Sequence, residues 1–390
     1  MIPPRDEFGV PGPVGVFQFL LPATFLLHVL FMNVALGTAV LAPVMAFAAR
    51  SRPHVAEALR RLLAFWPIAI SMTITTGVAP LLFAQVLYGH LFYTSNILLG
   101  WTWLSILLLL LTGFYAVYLV KPQTTQLSQT TNGPQSDTVR EGPPSSAPPV
   151  GGLQPAIAPW RIALLIYIAV AFVGIAAIFT ANSTLMTQPD AWPAVHAGSR
   201  SAWGVHAMLW PRLAHNVIGS LAITGLFIAG AARVARSMSA ETRERVITLG
   251  LLLALVFTGL QILTGVWFVV TIFHDAVSAF HQVTPGTVLW GLAVLTGLAL
   301  MVVLFRALEH PERPRSVWLP VALAGFTLLG MSAGRERVRA SLLHNYTNVF
   351  YTATQVRPQT VNLWLFFAIL VIGLGLIAMM LRWMTKPHST

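Results

Sequence analysis

The sequence predicts an all-α fold, a polytopic membrane helical bundle with about nine transmembrane helices. Three observations predict it. Hydrophobic residues make up 56% of the chain and charged residues only 9%, against roughly 25% charged in a soluble domain. Apolar runs of the ~20 residues that a spanning helix needs recur along the whole length. The basic residues gather in alternate loops between those runs, the pattern the positive-inside rule describes.

The runs centre on residues 14–47, 60–88, 96–120, 160–182, 205–235, 245–272, 285–307, 316–333 and 362–384. Several exceed one bilayer thickness and are expected to tilt or project. The opening "MIPPRDEFGVPGPVG" carries two acids and no short apolar core ahead of a small-residue cleavage site, so it is not expected to be a removable signal peptide. Residues 1–120 supply the first three helices. Residues 121–158 are rich in Pro, Ser, Thr, Gln and Gly with almost nothing to bury, and are expected to form a disordered cytoplasmic linker. Residues 159–390 add six further helices to the same bundle. Pro211 is placed to start or kink the fifth span just before His215. Thr284 followed by Pro285 reads as an N-cap and first helical position of the seventh span.

Topology follows from the arginines. Arg50, Arg52, Arg60 and Arg61 follow the first span, Arg233, Arg236, Arg243 and Arg245 the fifth, and Arg306, Arg313 and Arg315 the seventh. Placing these loops in the cytoplasm puts the N-terminus outside and the C-terminus, with Arg382 and Lys386, inside. The chain is then a multi-pass protein of a bacterial cytoplasmic (inner) membrane. The net charge of +11 resides in these loops and calls for no nucleic-acid partner. One segment breaks the rule: "GRERVRASLLHNY" carries Arg335, Arg337 and Arg339 on the outer side.

The chain has no cysteine, which excludes disulfides, thiolate ligands and a covalently attached haem. Any redox cofactor must be held by other side chains, which leaves His and Met. Of the eleven histidines, His54, His310 and His388 fall in cytoplasmic segments; the other eight fall in the outer half or outer loops. His28 lies well inside the first span and His215 in the first turns of the fifth. Intramembrane ionisable groups are functional candidates by default. The competing reading is an ordinary hydrogen bond to a neighbouring helix. Two such positions on one side favour a metal or haem, and haem over zinc or iron alone, because a b haem needs only one or two axial side chains and an apolar cleft. His274 and His281 are seven apart and share a face if their segment is helical; exposed loop residues are the alternative. His344 follows the misplaced arginines, which would pair with haem propionates or form a solvated loop or acidic-partner patch. His206, ahead of Pro211, reads as a surface neighbour. All twelve acids fall in termini, loops or span ends. Without a buried acid to begin a proton relay, electron transfer without transmembrane proton delivery is the simpler function.

Four segments, "FQFLLPATFLLHVLFMNVALG", "FTANSTLMTQPDAW", "RLAHNVIGSLAITG" and "LLGMSAGRERV", resemble those of subunit I of the cytochrome bd quinol oxidases. The resemblance is distant but spans most of the chain. It implies that His28 ligates an active-site haem and His215 a low-spin b haem. Four departures accompany it. "TVLWGLAVL" lacks the methionine that completes the family's low-spin site, for which His281 or His274 would substitute. Ser332 stands near the place of a glutamate haem ligand. The third-span glutamates are missing, and the long quinol-binding outer loop shrinks to about a dozen residues.

These readings converge on a membrane b-haem electron-transfer subunit holding one to three haems b. It would carry electrons near the outer face between quinone or other membrane subunits and a periplasmic c-type cytochrome or redox subunit. The alternatives are a bd-like terminal oxidase reducing oxygen, and a haem-free transporter or scaffold.

Overall fold

Proline marks the start of four long helices, as expected where its missing N–H is unneeded: Pro13 precedes α1 (Val14–Ala48), and Pro53, Pro159 and Pro285 open α2 (Pro53–Leu99), α4 (Pro159–Met186) and α8 (Pro285–Glu309). The computed structural model describes residues 9–121, 158–273, 280, 283–343, 346, 356 and 358–385. The other long helices are α3 (Trp101–Val120), α6 (Leu209–Val234), α7 (Ala240–Thr271), α9 (Arg315–Leu342) and α10 (Thr360–Thr385); a short α5 (Trp192–His196) lies in the connection before α6. Most of the 121–158 linker falls outside the described residues. Each expected span corresponds to one long helix. Eight of these are long and apolar enough to cross a membrane, and α10 carries a shorter apolar stretch, Thr360–Leu376.

Two local signals act as the sequence predicts. Thr284 accepts a hydrogen bond from the Thr287 amide at 3.3 Å, capping α8 with Pro285 at its first position. Pro211 lies within the first turn of α6. Another signal lies at Gly100, which takes φ 53° to end α2 and begin α3. That left-handed value suits glycine, so the two helices are joined by one residue. At 47 residues α2 would run about 70 Å if straight, over twice a bilayer core. It breaks instead at Tyr88, whose φ/ψ of −133°/25° is not helical.

Lipid is as apolar as leucine, so close backbone approach replaces the hydrophobic effect as the main organiser between helices. Helices α6 and α7 meet through Gly225 and Ala229 against Gly250 and Ala254. A Cβ on Gly225 would fall 2.6 Å from the Ala254 nitrogen, and one on Gly250 would fall 2.6 Å from the Gly225 oxygen. Gly37 of α1 presses likewise on Thr224 and Ser220 of α6. Trp66 of α2 is fully buried and donates its indole N–H to the Ala35 carbonyl at 2.9 Å. Truncating it to alanine would cost about 3–5 kcal/mol.

Two apolar clusters fix the direction of the helices. One gathers Phe17 and Leu21 from the start of α1, Leu91 from the end of α2, Leu185 from the end of α4 and Leu209 from the start of α6. The other joins Met45 of α1, Val55 of α2 and Ala232 of α6 at the arginine-rich end. Helices α1 and α6 therefore run parallel, with α2 antiparallel to both.

Candidate functional site

His28 of α1 sits on α2. Its Nδ1 lies 3.0 Å from the Thr73 carbonyl oxygen, and one turn further along α2 Gly77 leaves the ring its space: a Cβ there would be 2.9 Å from Nδ1 and Cε1. A carbonyl only accepts, so Nδ1 carries the proton and Nε2 keeps its lone pair. Among the described residues no hydrogen bond reaches that Nε2. One turn before it, Phe25 lies 6.2 Å from the imidazole, and the Arg335 guanidinium of α9 covers the Phe25 ring at 3.9 Å.

His215 of α6 sits on α7 in a similar cradle, where Gly265 occupies the place that Gly77 holds for His28. A Cβ on Gly265 would be 3.3 Å from the ring. Here both nitrogens are engaged: Nε2 is 2.8 Å from Gln261 Nε2, and Nδ1 is 3.3 Å from Thr264 Oγ1. Gln261 donates to Nε2, while its own Oε1 is buried and, among the described residues, has no partner. The amide is accommodated by Gly219, where a Cβ would come within 2.9 Å of it.

The register of α1 and α6 relates the niches. The helices touch where Gly37 meets Thr224, and Thr224 donates to the Asn33 carbonyl there at 3.2 Å. His28 precedes Gly37 by nine residues, and His215 precedes Thr224 by nine. Nine residues are about 13 Å of rise and two and a half turns. Both rings therefore lie about equally far along their helices from the crossing, each on the side of its helix away from the contact. They face α2 and α7 and do not converge on one iron.

Between the niches lies a cluster of arginines. Glu336 of α9 is bonded by Arg339 at 2.8 Å and by Arg335 at 3.3 Å; Arg339 is 5% exposed and faces the Tyr88 ring. Arg212, one turn before His215, donates to Ser183 Oγ at 3.3 Å and interacts electrostatically with Arg335 and Glu336. Three guanidiniums against one carboxylate leave an excess of positive charge in a largely buried setting, which suits an anionic group.

The loop reading of "GRERVR" is corrected by this geometry. Helix α9 continues to Leu342, so the segment is helical, and alternation splits the trio. Arg335 and Arg339 meet Glu336, whereas the Arg337 side chain packs beside Gly286 of α8, where a Cβ would lie 3.1 Å from its Cγ. His206 turns its Nδ1 to the Met208 amide at 3.0 Å, just ahead of α6. Ser332 donates to the Pro22 carbonyl of α1 at 3.0 Å. His274, His281 and His344 lie outside the described residues. Sequence reasoning passed over Thr73, Gly77, Gln261, Gly265, Arg212 and Glu336. Two signals were present: Gln261 is the one amide in "LGLLLALVFTGLQILTGVWFVV", and Arg212 stands three residues before His215.

Across 97% of this chain and 100% of the other, the structure superposes on a chain of the bd oxidase from Geobacillus thermodenitrificans with a TM-score of 0.66. The fold is that of a bd oxidase chain. Sequence identity is only 13%, so the expected resemblance holds at the level of the fold. No family model matches the sequence. Nor does any curated protein.

Among the described residues, no three His, Cys, Asp or Glu side chains gather to hold a metal ion. Within this bd-type fold the two imidazoles differ in their fit to a haem iron. His28 offers a suitable donor: its Nδ1 proton is fixed by a carbonyl, the arrangement that orients metal-bound histidines, and its Nε2 lone pair is left available. His215 could offer its Nε2 only with Gln261 moved off it.

Proposed function

We propose that this chain is a haem-carrying redox subunit of a bd-type membrane complex, with His28 as the primary axial ligand and His215 as the ligand of a second centre. The observation that carries this reading is the His28 niche, an imidazole oriented through Nδ1 and seated on Gly77, with the Arg335 guanidinium of α9 over Phe25 one turn before it. A b haem bound there supplies reversible one-electron chemistry. The chain's own residues do the remaining work. Thr73 sets the tautomer, Gly77 permits the close seat, Phe25 and the apolar spans keep water away, and Arg212, Arg335 and Arg339 present positive charge to propionates. The haem type is b, and one to three remain the expectation. Membrane subunits and quinone are the partners that the fold likeness favours. It lends no support to a periplasmic c-type cytochrome.

The test is a reduced-minus-oxidised spectrum with pyridine haemochrome quantification on the purified chain. A b-type signal that disappears in His28→Ala, with membrane insertion retained, is the expected result. A colourless protein overturns the reading.

Two further readings each have an observation in their favour. The likeness to an oxidase favours oxygen reduction, which oxygen consumption and a spectral shift with carbon monoxide would establish. The hydrogen-bonded state of His215 favours a structural role for that ring, and in its strongest form a haem-free scaffold.

A further inference from the structure

At the arginine-rich end of the bundle, a cavity of about 390 Å³ opens between the start of α2 and the first turns of α7. That volume lies within the roughly 300–1,000 Å³ typical of small-molecule sites. Arg52 and His54 line one side. Glu241, Glu244, Arg245, Thr248, Leu249 and Leu252 line the other. Their spacing along α7 places all six on one helical face. Read inward from the end of the bundle, that face passes from carboxylates and a guanidinium, through one hydroxyl, to two leucines. Leu252 is 48% exposed. This is the polarity profile of a membrane interface, charged at the rim and apolar below.

The charges at the rim are not all neutralised. Arg245 pairs with Glu241 at 2.7 Å. Among the described residues, Arg52 and Glu244 join no ion pair, so the cavity presents one guanidinium and one carboxylate to an occupant. A purely anionic occupant would satisfy Arg52 and face repulsion from Glu244. A purely cationic one would meet the reverse. An occupant bearing both a phosphate and an ammonium, with an apolar tail, matches all three parts of the wall.

We propose that this cavity binds a zwitterionic phospholipid of the phosphatidylethanolamine class. Arg52 and His54 face its phosphate, Glu244 accepts hydrogen bonds from its primary ammonium, and Leu249 and Leu252 line the first carbons of an acyl chain. The site is separate from the histidine niches and does not depend on haem.

The test is thermal unfolding of the full-length chain in detergent after delipidation, with each variant read against its own lipid-free baseline. Phosphatidylethanolamine is expected to raise the unfolding temperature by roughly 2–4 °C. Phosphatidylglycerol should give little shift, and so should phosphatidylcholine, whose quaternary ammonium has no proton for Glu244. Arg52→Gln and Glu244→Gln should each remove most of the effect. Equal shifts from phosphatidylglycerol or phosphatidylcholine overturn the proposal, as does full retention of the shift in both variants. Soluble phosphoethanolamine separates the lipid from a free solute: a shift from it equal to that of the lipid overturns the lipid assignment.

Discussion

His28 and His215 occupy equivalent places on neighbouring parallel helices, nine residues from the same crossing, each ring laid on a glycine of the next helix. Their hydrogen bonding separates them. A backbone carbonyl takes only the Nδ1 proton of His28, whereas Gln261 and Thr264 together engage both nitrogens of His215. Position within a membrane helix therefore does not decide whether a histidine can serve a metal. The partner on the second nitrogen does, and that partner is contributed by a helix distant in sequence.

The sharpest way to break this comparison is to remove each ring in turn. His28→Ala should abolish one b-type signal outright, and haem content per inserted chain checks it. A signal unaffected by that change and lost in His215→Ala would reverse the ranking of the two niches. The cradles come next. Gly77→Ala places a methyl 2.9 Å from the His28 ring, against 3.3 Å for Gly265→Ala and His215. Overpacking of this kind costs about 1–3 kcal/mol, so Gly77→Ala should lower the unfolding temperature and disturb the haem spectrum more than Gly265→Ala. Equal effects would mean that the two rings are held alike.

Gln261→Leu sharpens the contrast from the other side by freeing Nε2 of His215. The expected result is a stronger low-spin signal. If the spectrum is unchanged and only stability falls, by the ~0.6 kcal/mol average for an interhelical hydrogen bond, His215 is structural. Arg335→Gln should lower a midpoint potential by an amount on the order of 1 kcal/mol, roughly 40–60 mV, because a lost positive charge favours the oxidised form. Redox titration checks the sign.

The smallest effect lies outside the membrane. Tyr346 donates to Asp190 Oδ2, and that bond pushes its phenol up to about 12. A raised phenol favours the neutral form in the folded chain. Its stabilisation is therefore complete below the ordinary value near 10 and is lost as pH climbs through about 12. Tyr346→Phe should lower stability slightly at neutral pH, where the exposed bond's contribution is complete, and the gap from the parent should close as pH rises past about 12, which unfolding measured against pH checks.

Helix positions were legible because apolar length, prolines at helix starts and alternating arginine loops are all local properties. So were His28 and His215, through their rarity in such surroundings. The partners that distinguish them were not. Thr73 acts through its backbone carbonyl, which no side-chain pattern announces, and Gly77 matters only because α1 crosses there. Arg335 and its neighbours read as a loop because three arginines and a glutamate interrupt an apolar run; the helix continues through them because Glu336 offsets two of the charges. The 13% identity to a chain sharing the whole fold has the same origin: lipid accepts many apolar side chains, so sequences drift while the crossings persist.

The matching nine-residue offsets bear on energy transduction. An electron passing from a centre at His28 to one at His215 would move sideways from helix to helix, not along their length. Such a hop would cross little of the transmembrane voltage, which amounts to about 2.3 kcal/mol per elementary charge per 100 mV. Its driving force would come chiefly from the difference in midpoint potential.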